Sequence, residues 1–313
     1  MSEIVLGVGA SHSTLMNTNW QDVIHVDRAE RFREALGNAR DAVAAARPDA
    51  VLIAGSNHFR GFWLDLIPAF TVGVGEVIAS GEAGTPSGPQ AVDVPLARHV
   101  ARELVAADFD VAFSARLQID HGQTHAIQYL LAGLEVPIVP LVLNVFAPPL
   151  PSLRRCAALG RALRDAVASD GADKRIAVLG SGGLSHRLPF PNWQRPTGED
   201  QKFLVEAWLE GRQKWRDYEV RRRQIVRAWP AGINPEFDRE FLDLFATGRS
   251  GTLLDWSSEK VEEVAGNGAQ ELRSWLLVAA ATGDASGQVL GYEPMPEWLT
   301  GMGVAVLEPG VAR

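Results

Sequence analysis

The sequence predicts a three-layer α/β fold, read as one domain over residues 1–313, with a largely parallel or mixed central sheet and a helical elaboration in its C-terminal half. Three observations predict it. Apolar strand-like runs alternate with amphipathic helical stretches through the first 180 residues, the pattern of βαβ units. Three of those runs pass into small residues and then reach a histidine: IVLGVGAS before His12, VLIAGSN before His58 and IAVLGSGGLS before His186. After His186 the pattern changes to a Pro-rich loop (Pro189, Pro191, Pro196) followed by helical segments up to about Thr282.

Taken in order, apolar periodicity gives a strand at Ile4 to Val8, a helix from about Arg28 to Ala46 and a strand at Ala50 to Ala54. A helix near Val92 to Ala106, a strand ending before Asp120, a helix from about Thr124 to Ala132 and a strand at Ile138 to Leu143 follow. A helix from Leu153 to Ala168 and a strand at Ile176 to Leu179 make the next pair, and Gly287 to Leu290 and Gly303 to Leu307 are terminal strands. No Gly/Ser-rich or low-complexity linker divides the chain.

Composition narrows the function. With 46% hydrophobic and 22% charged residues the chain has ordinary globular composition, and a formal net charge of −8 offers no basic field for a phosphate backbone. Nucleic acid is therefore not the expected partner; a small molecule is. The opening MSEIVLGVG lacks the basic start and long apolar stretch of a secretory signal, and the longest apolar tract, Tyr129 to Phe146, is interrupted by Glu135, Pro137 and Pro140. A cytoplasmic protein with no membrane partner is expected. One cysteine, Cys156 within a helical stretch, allows no internal disulfide and no thiolate cluster, so any metal must be held by nitrogen and oxygen.

Parallel strands would bring His12, His58 and His186 to one carboxyl edge of the sheet, where open α/β folds place their chemistry. Imidazole is the commonest metal ligand and exchanges protons near neutral pH, so a metal site with a proton-transfer group beside it is the first expectation. Two histidines and one carboxylate form the face that holds non-haem Fe(II) with open positions. Composition does not choose the carboxylate among 38 acidic residues; Glu271, preceded by AGNGAQ at the start of a helical run, is one candidate.

His121 and His125 stand four apart, as in zinc peptidases, but the residue after the first histidine is Gly122 instead of glutamate. Asp120, directly before His121, is placed to set its tautomer or local charge, which suits a proton-transfer residue, and His125 reads as a buried, hydrogen-bonded side chain. His25 and His99 read as solvated or locally paired. The basic run RQKWRDYEVRRRQIVRAW reads as a solvated face or subunit contact, and Arg187 as an exposed loop arginine, with pairing to a substrate carboxylate as its other reading. Of the nine tryptophans, Trp193, Trp275 and Trp298 are candidates for an aromatic pocket, with core packing the better reading of Trp275.

The strings GASHS around His12, SNHF around His58, DHG around His121, GSGGLSHRLPFP around His186, NPEFDREFLDLF from Asn234 and AGNGAQELRSW around Glu271 together resemble the class III extradiol ring-cleavage dioxygenases. The matches run in order from residue 4 to about residue 280. The resemblance implies that His12, His58 and Glu271 are ligands of Fe(II), that His186 is the active-site acid/base, and that His121 and Asp120 stand beside them. It also implies a catechol and O2 as reactants, a muconic semialdehyde-type product, and a self-sufficient chain of the kind that forms homo-oligomers. Two other classes stay open on the residues alone: a metal-dependent hydrolase on the same ligands, because zinc outranks ferrous iron in intrinsic affinity, and a non-catalytic binding protein on this fold.

Overall fold

The computed structural model describes residues 1–310. Nine strands join in one mixed sheet. Its centre is four parallel strands in the order β6 (Ile138–Leu143), β2 (Ala50–Ser56), β7 (Arg175–Ser181) and β1 (Glu3–Ala10). Beyond β1 the antiparallel β9 (Thr300–Leu307) and β8 (Gly287–Met295) complete one side. Beyond β6 lies β3 (Phe70–Ser80), whose first residues pair antiparallel with β6, whose last residues pair with β4 (Ser87–Gln90), and whose other edge carries the parallel β5 (Ala112–Ile119).

Side chains alternate across each central strand, and both faces are buried. Leu52, Ala54, Ile176 and Val178 point to one core with α3 (Val94–Ala106), α5 (Leu153–Ser169) and α9 (Leu272–Ala281). Val51, Ile53, Ala177 and Leu179 point to the other with α2 (Val26–Ala46) and α4 (His121–Leu130). The result is the expected three layers. The helix starts are set locally: Asp93 accepts from Leu96 N, Ser152 from Arg155 N and Asn234 from Phe237 N, the last opening α7 (Pro235–Ala246) with a proline in its first turn.

Two expectations are corrected. β3 and β4 were not anticipated between residues 54 and 92, because glycines at 73 and 75 break the apolar run of β3. The helix expected from Thr124 begins at His121, where the Asp120 carboxylate caps it by accepting from Gly122 N (3.0 Å). Within the helical C-terminal half every residue of α9 is buried, packed against the sheet and α5. α6 (Gly198–Arg227), bent at Lys214, and α8 (Ser258–Ala265) complete the helical half. Among the described residues no helix is long and apolar enough to cross a membrane, and Cys156 is free and buried.

Candidate active site

The three parallel strands do bring their histidines to one edge. His12 follows β1, His58 follows β2 and His186 follows β7, while β5 delivers Asp120 and His121 from the side. Glu271 arrives from the opposite end of the chain, on a 3₁₀ turn (Asn267–Glu271) that leads into α9. Two contacts fix that turn: Ser274 Oγ donates to Ser181 O at the end of β7 (3.0 Å), and Trp275 Nε1 donates to Gly182 O (3.2 Å).

Glu271 Oε1 stands 3.4 Å from His12 Nε2 and 3.3 Å from His58 Nε2. Its carboxylate also accepts from Ser56 Oγ and, through Oε2, from Gly183 N (2.7 Å). The other ring nitrogens are turned to the protein: His12 Nδ1 to Ser181 Oγ (2.9 Å) and His58 Nδ1 to Asp120 Oδ1 (3.3 Å). Asp120 Oδ2 accepts as well from His58 N (2.6 Å). Each imidazole thus presents Nε2 to the carboxylate. Two ligand atoms bound at about 2.1 Å and at right angles around one ion lie about 3 Å apart, so these three donors fit a divalent cation with little movement. His121 adds a third imidazole; ligand atoms of His12, His58 and His121 all lie within 4.8 Å of one another.

Electrostatics agree with a cation site. Burial, with some opposition from Glu271, holds His12 well below the usual imidazole range, the neutral form a metal ligand requires. Burial also disfavours charge on His58, but Asp120 and Glu271 outweigh it and push the ring up to about 9, so at neutral pH the metal-free ring is the cation beside Glu271, and a metal ion bound there would displace its proton. Burial would raise Glu271, yet the surrounding imidazoles hold it ionised, well below the carboxylate range. A buried anion needs a nearby positive charge.

His186 occupies a separate wall. Its Nδ1 lies 3.0 Å from Leu184 O, and a carbonyl only accepts, so Nδ1 carries the proton and Nε2 keeps the lone pair. Burial lowers its pKa and keeps the ring neutral. Its backbone is pinned on both sides, His186 N donating to Ala265 O and Gly268 N to His186 O. Gly268 is needed there, because a Cβ at that position would lie 2.1 Å from His186 Nε2. Asp238, fully buried on α7, accepts from Ser185 N (2.8 Å), Ser185 Oγ (2.7 Å) and Tyr292 OH (2.7 Å), anchoring the loop from the residue before His186.

The tautomer of His121 is set by a residue the sequence did not single out. Its Nδ1 donates to Glu82 Oε1 (2.6 Å), and Glu82 also pairs with Arg60 (2.8 Å). Asp120 instead caps α4 and orients His58. Glu82 sits on a short 3₁₀ turn after β3, 39 residues away in sequence, and no local pattern marks it. His125 is buried as expected, but neither ring nitrogen finds a partner among the described residues, and burial pushes its pKa down to about 3. His25 bonds to Glu297, and His99 to Ala166 O and Arg102.

A cavity of about 720 Å³, counting its open mouth, joins His12, His58, His121, His186 and Glu271. Trp208, Trp215, Arg222 and Val226 of α6 wall it, with Trp298 and Thr300 from the β9 side. The basic run of α6 is therefore not merely a solvated face. Trp208, Trp215 and Arg222 recur every seven residues, a spacing that puts them on one side of a helix and is the signal that was available. Trp275 lies in the core against Phe241 and Phe245, Trp193 donates to Pro148 O away from this cavity, and Arg187 is exposed with its guanidinium donating to Glu262 O.

Residues 7–303 match the family described as the catalytic LigB subunit of aromatic ring-opening dioxygenase. The chain belongs to this class III extradiol dioxygenase family. It is 35% identical over 305 residues, 94% of this chain and 95% of the relative, to a 2,3-dihydroxyphenylpropionate/2,3-dihydroxicinnamic acid 1,2-dioxygenase of Rhodococcus jostii (strain RHA1). A protein of the same name from Paraburkholderia xenovorans (strain LB400) is 35% identical over 281 residues, 87% of this chain and 88% of the relative. The LigB-family assignment makes the chain a ring-cleavage dioxygenase, and the hydrolase and binding-protein readings fall with it. A solved structure of an uncharacterized protein from Escherichia coli K12 aligns at a TM-score of 0.46 and 16% identity over 97% of this chain and 99% of that chain, too loose a likeness to bear on the site.

Proposed function

We propose that this LigB-family enzyme is an Fe(II)-dependent extradiol dioxygenase that opens the ring of a catechol with O2 to a muconic semialdehyde-type product, with His12, His58 and Glu271 holding the metal. The observation that carries the reading is the convergence of His12 Nε2, His58 Nε2 and Glu271 Oε1, at 3.4 and 3.3 Å, with both Nδ1 atoms engaged elsewhere. This donor set is the two-histidine, one-carboxylate face suited to Fe(II) with open positions. Ferrous iron held there supplies the redox chemistry that lets triplet dioxygen react with a closed-shell ring, and it acidifies the diol that it binds.

The protein's own part is proton handling and positioning. His186, neutral with a free Nε2, is the base that takes the second diol proton and the acid that returns it as the ring opens. Glu82 holds His121 with its proton on Nδ1, so His121 Nε2 accepts hydrogen bonds from the reactants and, once protonated, serves as an acid. Asp120 keeps His58 turned with Nε2 toward the metal position. Trp208, Trp215 and Trp298 provide an apolar wall that suits an aromatic ring and excludes water. The reading extends to a cytoplasmic enzyme that assembles as a homo-oligomer, in line with the family resemblance.

The test is oxygen uptake. Protein loaded anaerobically with Fe(II) is mixed with a panel of catechols and air is admitted. One or more should consume one O2 per catechol and give a yellow ring-opened product; no uptake with any of them contradicts the proposal.

A further inference from the structure

His125 is the one histidine of the active-site group left without a task, and its surroundings supply one, granted that His12 is a metal ligand as proposed above. Its ring is buried and stacks on the ring of His12, with centroids 5.6 Å apart and planes inclined by 13°. Tyr129 stacks on it as well, at 5.8 Å. Stacking occupies the faces of an imidazole and leaves its nitrogens unserved. Neither Nδ1 nor Nε2 has a hydrogen-bond partner among the described residues. Buried polar side-chain atoms are nearly always paired, so two unmet nitrogens on one ring point to a bound molecule at its edge.

Ser181 has a matching need. For His12 to present Nε2 to a cation its proton must sit on Nδ1, which then donates to Ser181 Oγ (2.9 Å). That is the only hydrogen bond of Ser181 Oγ among the described residues, so its own hydroxyl proton has no acceptor there. Both groups line one cavity of about 200 Å³, counting its open side, between the ends of β1 and β7 and the helix α4. Its other polar walls are already engaged: Ser11 Oγ accepts from Gly303 N and donates to Gly301 O, and Tyr129 OH donates to Asn17 Oδ1. No charged side chain lines the cavity to hold an ion, and its volume falls below the roughly 300 Å³ at which small-molecule pockets begin. A water, whose share of the liquid is about 30 Å³, fits both the space and the two unmet groups.

We propose that this cavity holds an ordered water that accepts from Ser181 Oγ and donates to a ring nitrogen of His125, and that His125 thereby acts as a positioning residue for His12. With its proton committed to the water, the Ser181 hydroxyl keeps its lone pairs toward His12 Nδ1–H. That holds the His12 ring and its tautomer with Nε2 toward Glu271. Outer partners of this kind orient a ligating histidine and raise its basicity.

Two measurements test this. A crystal structure of the native protein should show a water within about 3.2 Å of both Ser181 Oγ and a His125 ring nitrogen. His125→Phe, which keeps the stacking and removes both nitrogens, should lose it. Anaerobic calorimetric titration with Fe(II) reads the consequence. Ser181→Ala should weaken binding roughly tenfold or more, as loss of an outer partner does, and His125→Phe, one bond further out, by roughly three- to tenfold. In a Ser181→Ala background His125→Phe should cost no further factor, because the relay is already cut. A merely structural role for His125 would weaken binding by the same factor in both backgrounds. His125→Leu serves the same cycle if the phenylalanine variant does not fold. Absence of the water, native affinity in H125F, or equal losses in the two backgrounds overturns the proposal and leaves the dioxygenase reading standing. Failure of the native protein to bind Fe(II) overturns both.

Discussion

Glu271 and His186 sit in one cavity with separable tasks, and substitution should separate them. Glu271→Ala removes the one carboxylate that reaches both Nε2 atoms, so purified protein should retain no iron by metal analysis. His186→Ala leaves all three donors in place and should keep its iron while kcat falls about 10²–10⁴-fold, the usual worth of a positioned acid/base. Iron loss in the second variant would contradict the role given to His186. Asp238 offers a pH test of the loop that carries His186. Burial pushes its carboxyl from 3.8 up to about 6, so between those pH values the folded chain holds a proton that the unfolded chain has released. Stability contributed by this group is therefore full below about pH 4 and lost as pH rises toward 6, by up to about 3 kcal/mol. Urea unfolding of wild type and Asp238→Asn at several pH values should show the wild type losing ground across that window; parallel curves would refute it. His12, His58 and His186 were legible because each directly follows an apolar strand. Glu271 was one candidate among 38 acids, marked by the glycines before a helical run and raised above the others by the resemblance, and Glu82, Arg60 and Arg222 belong to a network that closes only in three dimensions.

The site's precision comes from how elements abut. A Cβ built on Gly9 of β1 would lie 2.2 Å from the ring of Trp275, one turn after Glu271 on α9. Gly9 thus lets α9 lie close enough to the sheet for Glu271 to reach the two histidines. Gly9→Ala should overpack that contact, lowering unfolding free energy by about 1–3 kcal/mol and weakening metal affinity together. Unchanged affinity in a destabilised variant would show that Trp275 does not set the position of Glu271. Past β2, Phe59 holds a left-handed backbone (φ 60°) while its ring stacks on Trp208 of α6 at 4.2 Å. That strain, next to His58, is held by the stacking and marks where the strand tip turns into the cavity wall. Apolar periodicity revealed the helices and central strands because both faces of the sheet are buried. It missed β3, where glycines stand in for larger apolar residues so that Pro140 and the β5 backbone can approach.

At the scale of the whole molecule, one mixed sheet with helices on both faces gathers residues 12, 58, 121, 186 and 271 at the carboxyl ends of its parallel strands. The three-layer class was readable from the alternation of elements. The return of the chain through α9 was not, because a largely apolar sequence, broken only by Arg273 and Ser274, carries no sign of which strands it packs against. The same gathering also creates a rival: Glu82, Asp120 and His121 lie close enough to hold a cation of their own. Anomalous scattering at the iron edge from crystals of anaerobically Fe(II)-loaded protein distinguishes them. A single peak within bonding distance of His12 Nε2, His58 Nε2 and Glu271 Oε1 is the predicted result; a peak among Glu82, Asp120 and His121, or none at all, would contradict it.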